Sequence, residues 1–296
     1  MKKVLVTGAF GFAGANLVEH MSGDSYLVFA LGREGSSHNN RCKGLKNVVP
    51  VYCEMENYGD LPGILREKGR EFPDAVIHLA WGGGRDDEAA QEANVKASLD
   101  LMEAAHEMGV KRFVGIGSQA EYGIKDGIIT EDLPPSPFSA YGRCKVKAYE
   151  LLGQKAREYN MEFIWGRIFS LIGKYEPSGR MFPDLVSRLK KGEGMILSSC
   201  EQYWDYLDAG DAAEAILALL ERGLDQNIYN IANGDYRPLK EFTERTAKVL
   251  LADHELITYG DRPKPFVSLK PSVDKIYRDT GWRASISFEE TIKNMI

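Results

Sequence analysis

Metal sites and disulfide frameworks find little material in this chain. Its four cysteines, Cys42, Cys53, Cys144 and Cys200, form no Cys-x-x-Cys, and its five histidines make no pair at ligand spacing. Structural free thiols in a reducing compartment are expected, and no metal. Positive charge is short as well. The net charge is -6 and no basic stripe runs through the sequence, which excludes a nucleic-acid footprint. No apolar run approaches the length of a membrane span. Lys2 and Lys3, the apolar residues after them and Ala13-Gly14-Ala15 have the outline of a signal peptide, but Gly8, Gly11 and Gly14 break the apolar stretch. A cytoplasmic protein with neither membrane nor nucleic-acid partner is expected.

What the sequence has instead is alternation. Short β-rich apolar runs stand at residues 3–7 (KVLVT), 26–31 (YLVFAL), 48–52 (VVPVY), 75–80 (AVIHLA), 112–116 (RFVGI) and 163–168 (FIWGRI). Helical patterns at 14–21, 89–108 and 141–158 separate several of them. Apolar strands alternating with helices predict a parallel sheet covered on both faces. Beyond residue 173 the pattern loosens: a helix at 209–221, a strand at 227–232, a helix at 238–250, then short turns and helices across 262–296. The expected architecture is a Rossmann-type doubly wound α/β domain over residues 1–172. A smaller C-terminal substrate-binding lobe would take 173–296, with about 204–235 returning to the core. Ligands of open α/β sheets lie over the strand ends.

Thr7-Gly8-Ala9-Phe10-Gly11-Phe12-Ala13-Gly14 follows the first strand and opens a helix. Its first glycine permits the tight turn, its second lets backbone N–H groups approach a pyrophosphate, and its third lets helix pack on strand. A dinucleotide cofactor follows, held at Gly8, Phe10, Gly11, Phe12 and Gly14. An NAD-binding unit carries an acid at the end of the second strand. Here that place reads Gly32-Arg33-Glu34, so Gly32 leaves room and Arg33 offers a planar cation for a 2′-phosphate, with Arg41 as a second. NADP(H) is favoured and NAD(H) is the alternative, because a shift of one residue would bring Glu34 into the acid's place.

Tyr141 and Lys145 stand four apart on a predicted helix, which puts phenol and ammonium on one face. A nearby ammonium would stabilise the phenolate and favour proton transfer. Tyr236 and Lys240 repeat the spacing, but Pro238 lies inside it and the copy reads as accidental. The first copy gains weight from Ser118, a hydroxyl at the end of the fifth strand placed to bond a substrate carbonyl.

With these residues in place the chain resembles the extended short-chain dehydrogenase/reductase family, in its NAD-dependent epimerase/dehydratase branch, which mostly modifies nucleotide-linked sugars. The likeness rests on the glycine loop, His78-Leu79-Ala80, Asn94, Ser118 with Tyr122-Gly123, and Tyr141/Lys145. Residues 167–173, Asp205-Tyr206, Asp211-Ala212-Ala213, Asn230 and Gly281-Trp282 extend it along the chain. It implies a Ser118/Tyr141/Lys145 active site. It also implies adenine contacts at Glu54 and Met55, a cofactor wall at Leu79, Ala80 and Trp81, and Ile168 near the nicotinamide. Gln119, Ser170, Arg180 and Arg262 become substrate-side candidates, and a homodimer through helices near Tyr141 is implied.

Departures from the pattern help choose the reaction. The family's 4,6-dehydratases carry an Asp-Glu pair directly after the catalytic hydroxyl, where this chain has Gln119 and Ala120. Glu121, one place further along an extended segment, would face the other way. Ser170 stands where an Asn is frequent, and Trp204 where an Arg often meets the nucleotide phosphate; for Trp204, packing is the expected role. Two reactions remain: NADPH-dependent reduction of a nucleotide-linked 4-keto-6-deoxy sugar, which is favoured, and NAD-dependent epimerisation. A catalytically silent dinucleotide-binding regulator is the reading from another class, and the intact Ser/Tyr/Lys set argues against it.

Overall fold

The six apolar runs come together in one parallel sheet. The computed structural model describes residues 1–260 and 267–295. In chain order the elements are β1 (Lys2–Thr7), α1 (Phe12–Met21), β2 (Tyr26–Gly32), β3 (Val48–Tyr52), α2 (Leu61–Glu67), β4 (Ala75–His78), α3 (Glu88–Glu107), β5 (Arg112–Ser118), α4 (Ala140–Glu158) and β6 (Glu162–Ile168). They continue with β7 (Ser170–Ile172), α5 (Met181–Lys190), β8 (Met195–Leu197), β9 (Tyr203–Trp204), β10 (Tyr206–Asp208), α6 (Ala209–Arg222) and β11 (Asn227–Ile231). Last come β12 (Arg237–Pro238), α7 (Leu239–Val249), β13 (Ile257–Tyr259), α8 (Asp274–Thr280) and α9 (Phe288–Asn294).

The seven-stranded sheet runs β11-β6-β5-β4-β1-β2-β3, with every neighbour parallel. Strand order reverses between β1 and β4, the crevice where a doubly wound sheet takes its ligand. Register brings the working ends level: Thr7 lies opposite His78, and Ser118 opposite Ile168. One face is covered by α1 and α6 through Leu17, Val18, Ile216 and Leu219, the other by α2, α3 and α4 through Leu65, Leu101, Met102 and Leu152. Each such side chain, fully buried, contributes about 1.5–3 kcal/mol. Helix starts are marked by side-chain caps: Asp87 accepts from Ala90 N–H, Ser139 from Gly142 N–H and Asp208 from Gly210 N–H.

A separate cluster of Phe182, Phe242 and Phe288 forms the C-terminal core over the strand ends, with Tyr206 packed edge-on to Phe182 and Phe242. Three two-stranded sheets, β7/β10, β8/β13 and β9/β12, tie this region together. Their two- and three-residue strands are too short to leave a periodic signal. Among the described residues no helix is long and apolar enough to cross a membrane.

Strand ends differ from the sequence expectation. The fourth strand stops at His78, not at residue 80, because the chain then turns out along a loop held by α3. Asn94 accepts from Gly82 N–H and donates to Gly82 carbonyl, while Gln91 donates to the Gly82 and Gly84 carbonyls. The fifth strand does end at Ser118, as expected, two residues beyond its apolar run.

Candidate active site

The glycine loop is shaped by close approach of backbone to backbone. Gly8 has φ +66, and a Cβ there would stand 2.9 Å from Ala80 N; a Cβ on Gly14 would stand 2.1 Å from Gly8 O. Only glycine lets α1 start this near β1 and β4. Behind the loop, Thr7 donates to His78 Nδ1 at 2.7 Å and accepts from Ala80 N–H, and His78 Nε2 meets Ser98 Oγ at 2.9 Å. Ser98 spends its own proton on Asn94 O, so His78 carries its proton on Nε2 and is neutral. Burial pushes the His78 imidazole down to about 3, with the Lys145 charge adding to the effect.

Ser118 ends β5, and residues Gln119–Glu121 form a single 3-10 turn, not the extended segment expected. The turn is a capping box: Ser118 Oγ accepts from Ala120 N–H, and Glu121 reaches back to Ser118 N–H at 2.8 Å. Glu121 therefore does point away from the cleft, but because the chain curls under the strand. It is 0% exposed and accepts from Arg167 Nε at 2.6 Å and from Trp165 Nε1. Buried charge of one sign meets buried charge of the other directly behind Ser118.

Tyr141 sits in the first turn of α4. Its N–H donates to Arg85 O, and its ring lies edge-on to Trp81 at 6.3 Å with the Arg85 guanidinium 5.2 Å from its centre. Burial holds the phenol above its ordinary value; its hydrogen bond with Ser118 and the Arg85 and Arg180 charges oppose that rise. Lys145, one turn on, is turned toward the strand. Its Nζ donates to Ile116 O at 2.7 Å and lies 3.7 Å from the centre of the Trp81 ring. Burial draws its ammonium down to about 7, and the Glu121 charge works against that. The ammonium also stands 5.9 Å from the centre of the Tyr141 ring, so it bonds a carbonyl and faces an indole while remaining beside the phenol.

These groups open on a cavity of about 730 Å³ over the strand ends. It brings together Ser118, Tyr141 and Lys145 with Gly8, Gly11, Phe12, Gly14, Leu79, Ala80, Trp81 and Ile168. The substrate-side candidates Gln119, Ser170 and Arg180 line it too, as do Arg85, Glu176, Trp204 and Tyr206. A second chamber of about 360 Å³ shares Gly8, Gly11 and residues 80–83 with the first, and adds Phe10, Arg33, Met55 and Tyr58. A long cleft with a glycine cradle at its waist fits a dinucleotide stretched across β1 and β4.

Two sequence expectations change here. Met55 reaches the smaller chamber, whereas Glu54 is exposed outside its lining. Gly32 is glycine because the Phe10 ring fills the space above it, 2.4 Å from where a Cβ would stand. Arg33 is exposed at the chamber's rim, and Arg41 donates to Phe10 O beside the glycine loop. Arg262 lies outside the described residues. Tyr236 and Lys240 line neither chamber. Sequence reasoning missed Gln91, which accepts from Trp81 Nε1 at 2.7 Å, and Glu176; neither stands in a motif. Trp204 both packs and donates, its Nε1 bonding Ser170 Oγ at 2.7 Å.

Residues 4–232 match the model of the NAD dependent epimerase/dehydratase family. The chain belongs to that family. Among curated relatives of this chain, a probable UDP-arabinose 4-epimerase 3 of Arabidopsis thaliana is 25% identical, over 95% of this chain and 76% of its own. The dTDP-D-glucose 4,6-dehydratase of Mus musculus is 24% identical over 100% of this chain and 88% of its own. In fold the chain is similar to the UDP-glucose 4-epimerase of Thermotoga maritima with UDP-glucose, with a TM-score of 0.88 and 24% identity over 99% and 97% of the two chains. RMD from Pseudomonas aeruginosa, complexed with NADPH, gives 0.85 and 23% over 100% and 97%.

Proposed function

We propose that this member of the family reduces a nucleotide-linked 4-keto-6-deoxy sugar, with NADP(H) as its cofactor. The observation that carries the reading is the turn after Ser118. The two places where a dehydratase of this family keeps its acid and base hold Gln119 and a buried Ala120. The neighbouring carboxylate, Glu121, is sealed against Arg167 behind the strand. Elimination of water needs an acid and a base beside the reacting carbons; here the groups beside Ser118 are hydroxyls. Arg33 at the rim of the adenosine-end chamber supports the phosphorylated cofactor.

The nicotinamide supplies hydride when the cofactor is bound, held by the glycine loop, residues 79–81 and Ile168. The protein's own residues do the rest. Ser118 and Tyr141 hold the keto oxygen between two hydroxyls, and Tyr141 gives its proton to the alkoxide that forms there. A phenol kept protonated by burial is suited to this donor role. Lys145 fixes the cofactor-side wall by bridging Ile116 and Trp81. NAD-dependent epimerisation of a nucleotide sugar is the second reading, favoured by the likeness to 4-epimerases.

The test follows NADPH absorbance while nucleotide 4-keto-6-deoxy sugars carrying dTDP, GDP, CDP or UDP are added. Stoichiometric loss is expected with one of them. Tyr141→Phe should then slow turnover by about 10²–10⁴ and leave NADPH affinity unchanged. No loss on any sugar, with NAD released from the denatured protein, would replace reduction by epimerisation.

A further inference from the structure

The groups already assigned at Ser118 and Tyr141 address one oxygen of the substrate, yet the same cavity is lined by a carboxyl with one oxygen unpaired. Glu176 lies on the segment between β7 and α5, and its Oε2 is buried without a hydrogen-bond partner. Its backbone is fixed by a bond from Glu176 N–H to Gly173 O at 3.1 Å, and its carboxyl also takes a hydrogen bond from the Gly173 backbone. The residue forms part of the wall between the 730 Å³ cavity and a neighbouring one of about 660 Å³. Arg180, whose charge acts on the Glu176 carboxyl without a hydrogen bond to Oε2, is exposed, with its guanidinium 5.7 Å from the centre of the Phe12 ring. A buried acceptor left unmade is costly, and such groups are usually satisfied by protein, water or ligand.

We infer that Glu176 is a specificity residue whose free carboxyl oxygen accepts a hydrogen bond from a donor on the sugar ring, a hydroxyl or an amino group away from C4. The inference rests on the nucleotide-sugar reading above. Burial raises the carboxyl to about 7, against the Arg180 charge and the Gly173 bond. A donor that satisfies the buried oxygen gains more here than at an exposed acid because the surroundings screen it less. Neutral polar groups stand on the same wall: Ser170 is held by Trp204, and Tyr206 lines the cavity beside them, with Arg180 as the charge that acts on the carboxyl. The sugar then meets two sets of contacts, one at the reacting oxygen and one across the ring, which fixes the face it turns toward the hydride.

Calorimetric titration of the intact protein with UDP-glucose, dTDP-glucose, GDP-mannose and an amino sugar, UDP-N-acetylglucosamine's deacetylated form, tests this against UDP, dTDP and GDP alone. Glu176→Ala is expected to weaken the sugar conjugate that binds by about tenfold and to leave the bare diphosphate within twofold. Glu176→Gln keeps an acceptor and is expected to restore affinity to within about threefold of wild type, unless the amino conjugate is the ligand, which only the carboxylate would hold. Equal loss for conjugate and bare diphosphate, or no loss for either, would overturn the role of Glu176 while leaving the substrate class standing. The 4-keto-6-deoxy sugar that consumes NADPH in the assay above is titrated alongside; wild-type protein that binds neither it nor any of the conjugates would overturn both.

Discussion

At the scale of the residue, position 121 separates what a sequence says from what a fold does with it. An acid so close to Ser118, the hydroxyl proposed to hold the substrate oxygen, invites a role in proton transfer, and an extended backbone would merely have turned it aside. The 3-10 turn instead buries it, where Ser118 N–H, Trp165 Nε1 and Arg167 Nε all donate to it. Breaking a buried pair from one side leaves the other charge uncompensated, at about 3–5 kcal/mol. Glu121→Ala should therefore lower the unfolding free energy by about that amount in a urea titration, and a loss under about 1 kcal/mol would mean the pair is not buried as described. Ser118, Tyr141 and Lys145 were readable because a strand end and a four-residue helical spacing are visible in one dimension. Glu176 was not, since its isolation is a property of the space around it.

At the scale of the element, the strands and long helices were legible from apolar alternation, and their ends were not. The apolar run 75–80 overstates its strand because Leu79 and Ala80 are apolar for the cleft, not for the sheet. The run 112–116 understates its strand because Gly117 and Ser118 carry no hydrophobic signal, although both pair with β6. What fixes β1, β4 and α3 against each other is the chain Thr7–His78–Ser98. His78 has its folded value depressed to about 3 from an ordinary 6.5. Between those two values the unfolded chain binds a proton that the native protein does not. Stability from this group is present above about 6.5 and falls as pH drops toward 3, by about 1.4 kcal/mol per unit. Melting temperatures between pH 7 and 5 should fall less steeply in His78→Asn than in wild type; parallel slopes would show that His78 titrates normally.

At the scale of the whole molecule, the fold class was the most legible feature and the cleft the least. Alternation predicts a parallel sheet, and strand order then places ligands at the β1/β4 crevice. That two chambers meet at residues 80–83 depends on Phe10 filling the space over Gly32 and on α3 holding the loop, neither of which a pattern reveals. The proposed preference for NADP(H) belongs to this scale, since on that reading Arg33 at one end of the cleft serves hydride chemistry at the other. Arg33→Ala should weaken NADPH by about tenfold or more and leave NADH nearly unchanged in fluorescence titration, because only the 2′-phosphate needs the guanidinium. Equal effects on both would remove Arg33 from the phosphate site.

The sheet is also finished late. β6 carries Phe163, Trp165 and Arg167, and its outer edge pairs with β11, whose residues are made some sixty positions afterwards. On a ribosome releasing the chain from its N-terminus, an apolar strand edge thus waits for Asn227–Ile231 to emerge. A fragment cut near residue 172 would keep the glycine loop and the hydroxyl pair, yet expose that edge to any other strand in solution. Its first failing would be self-association.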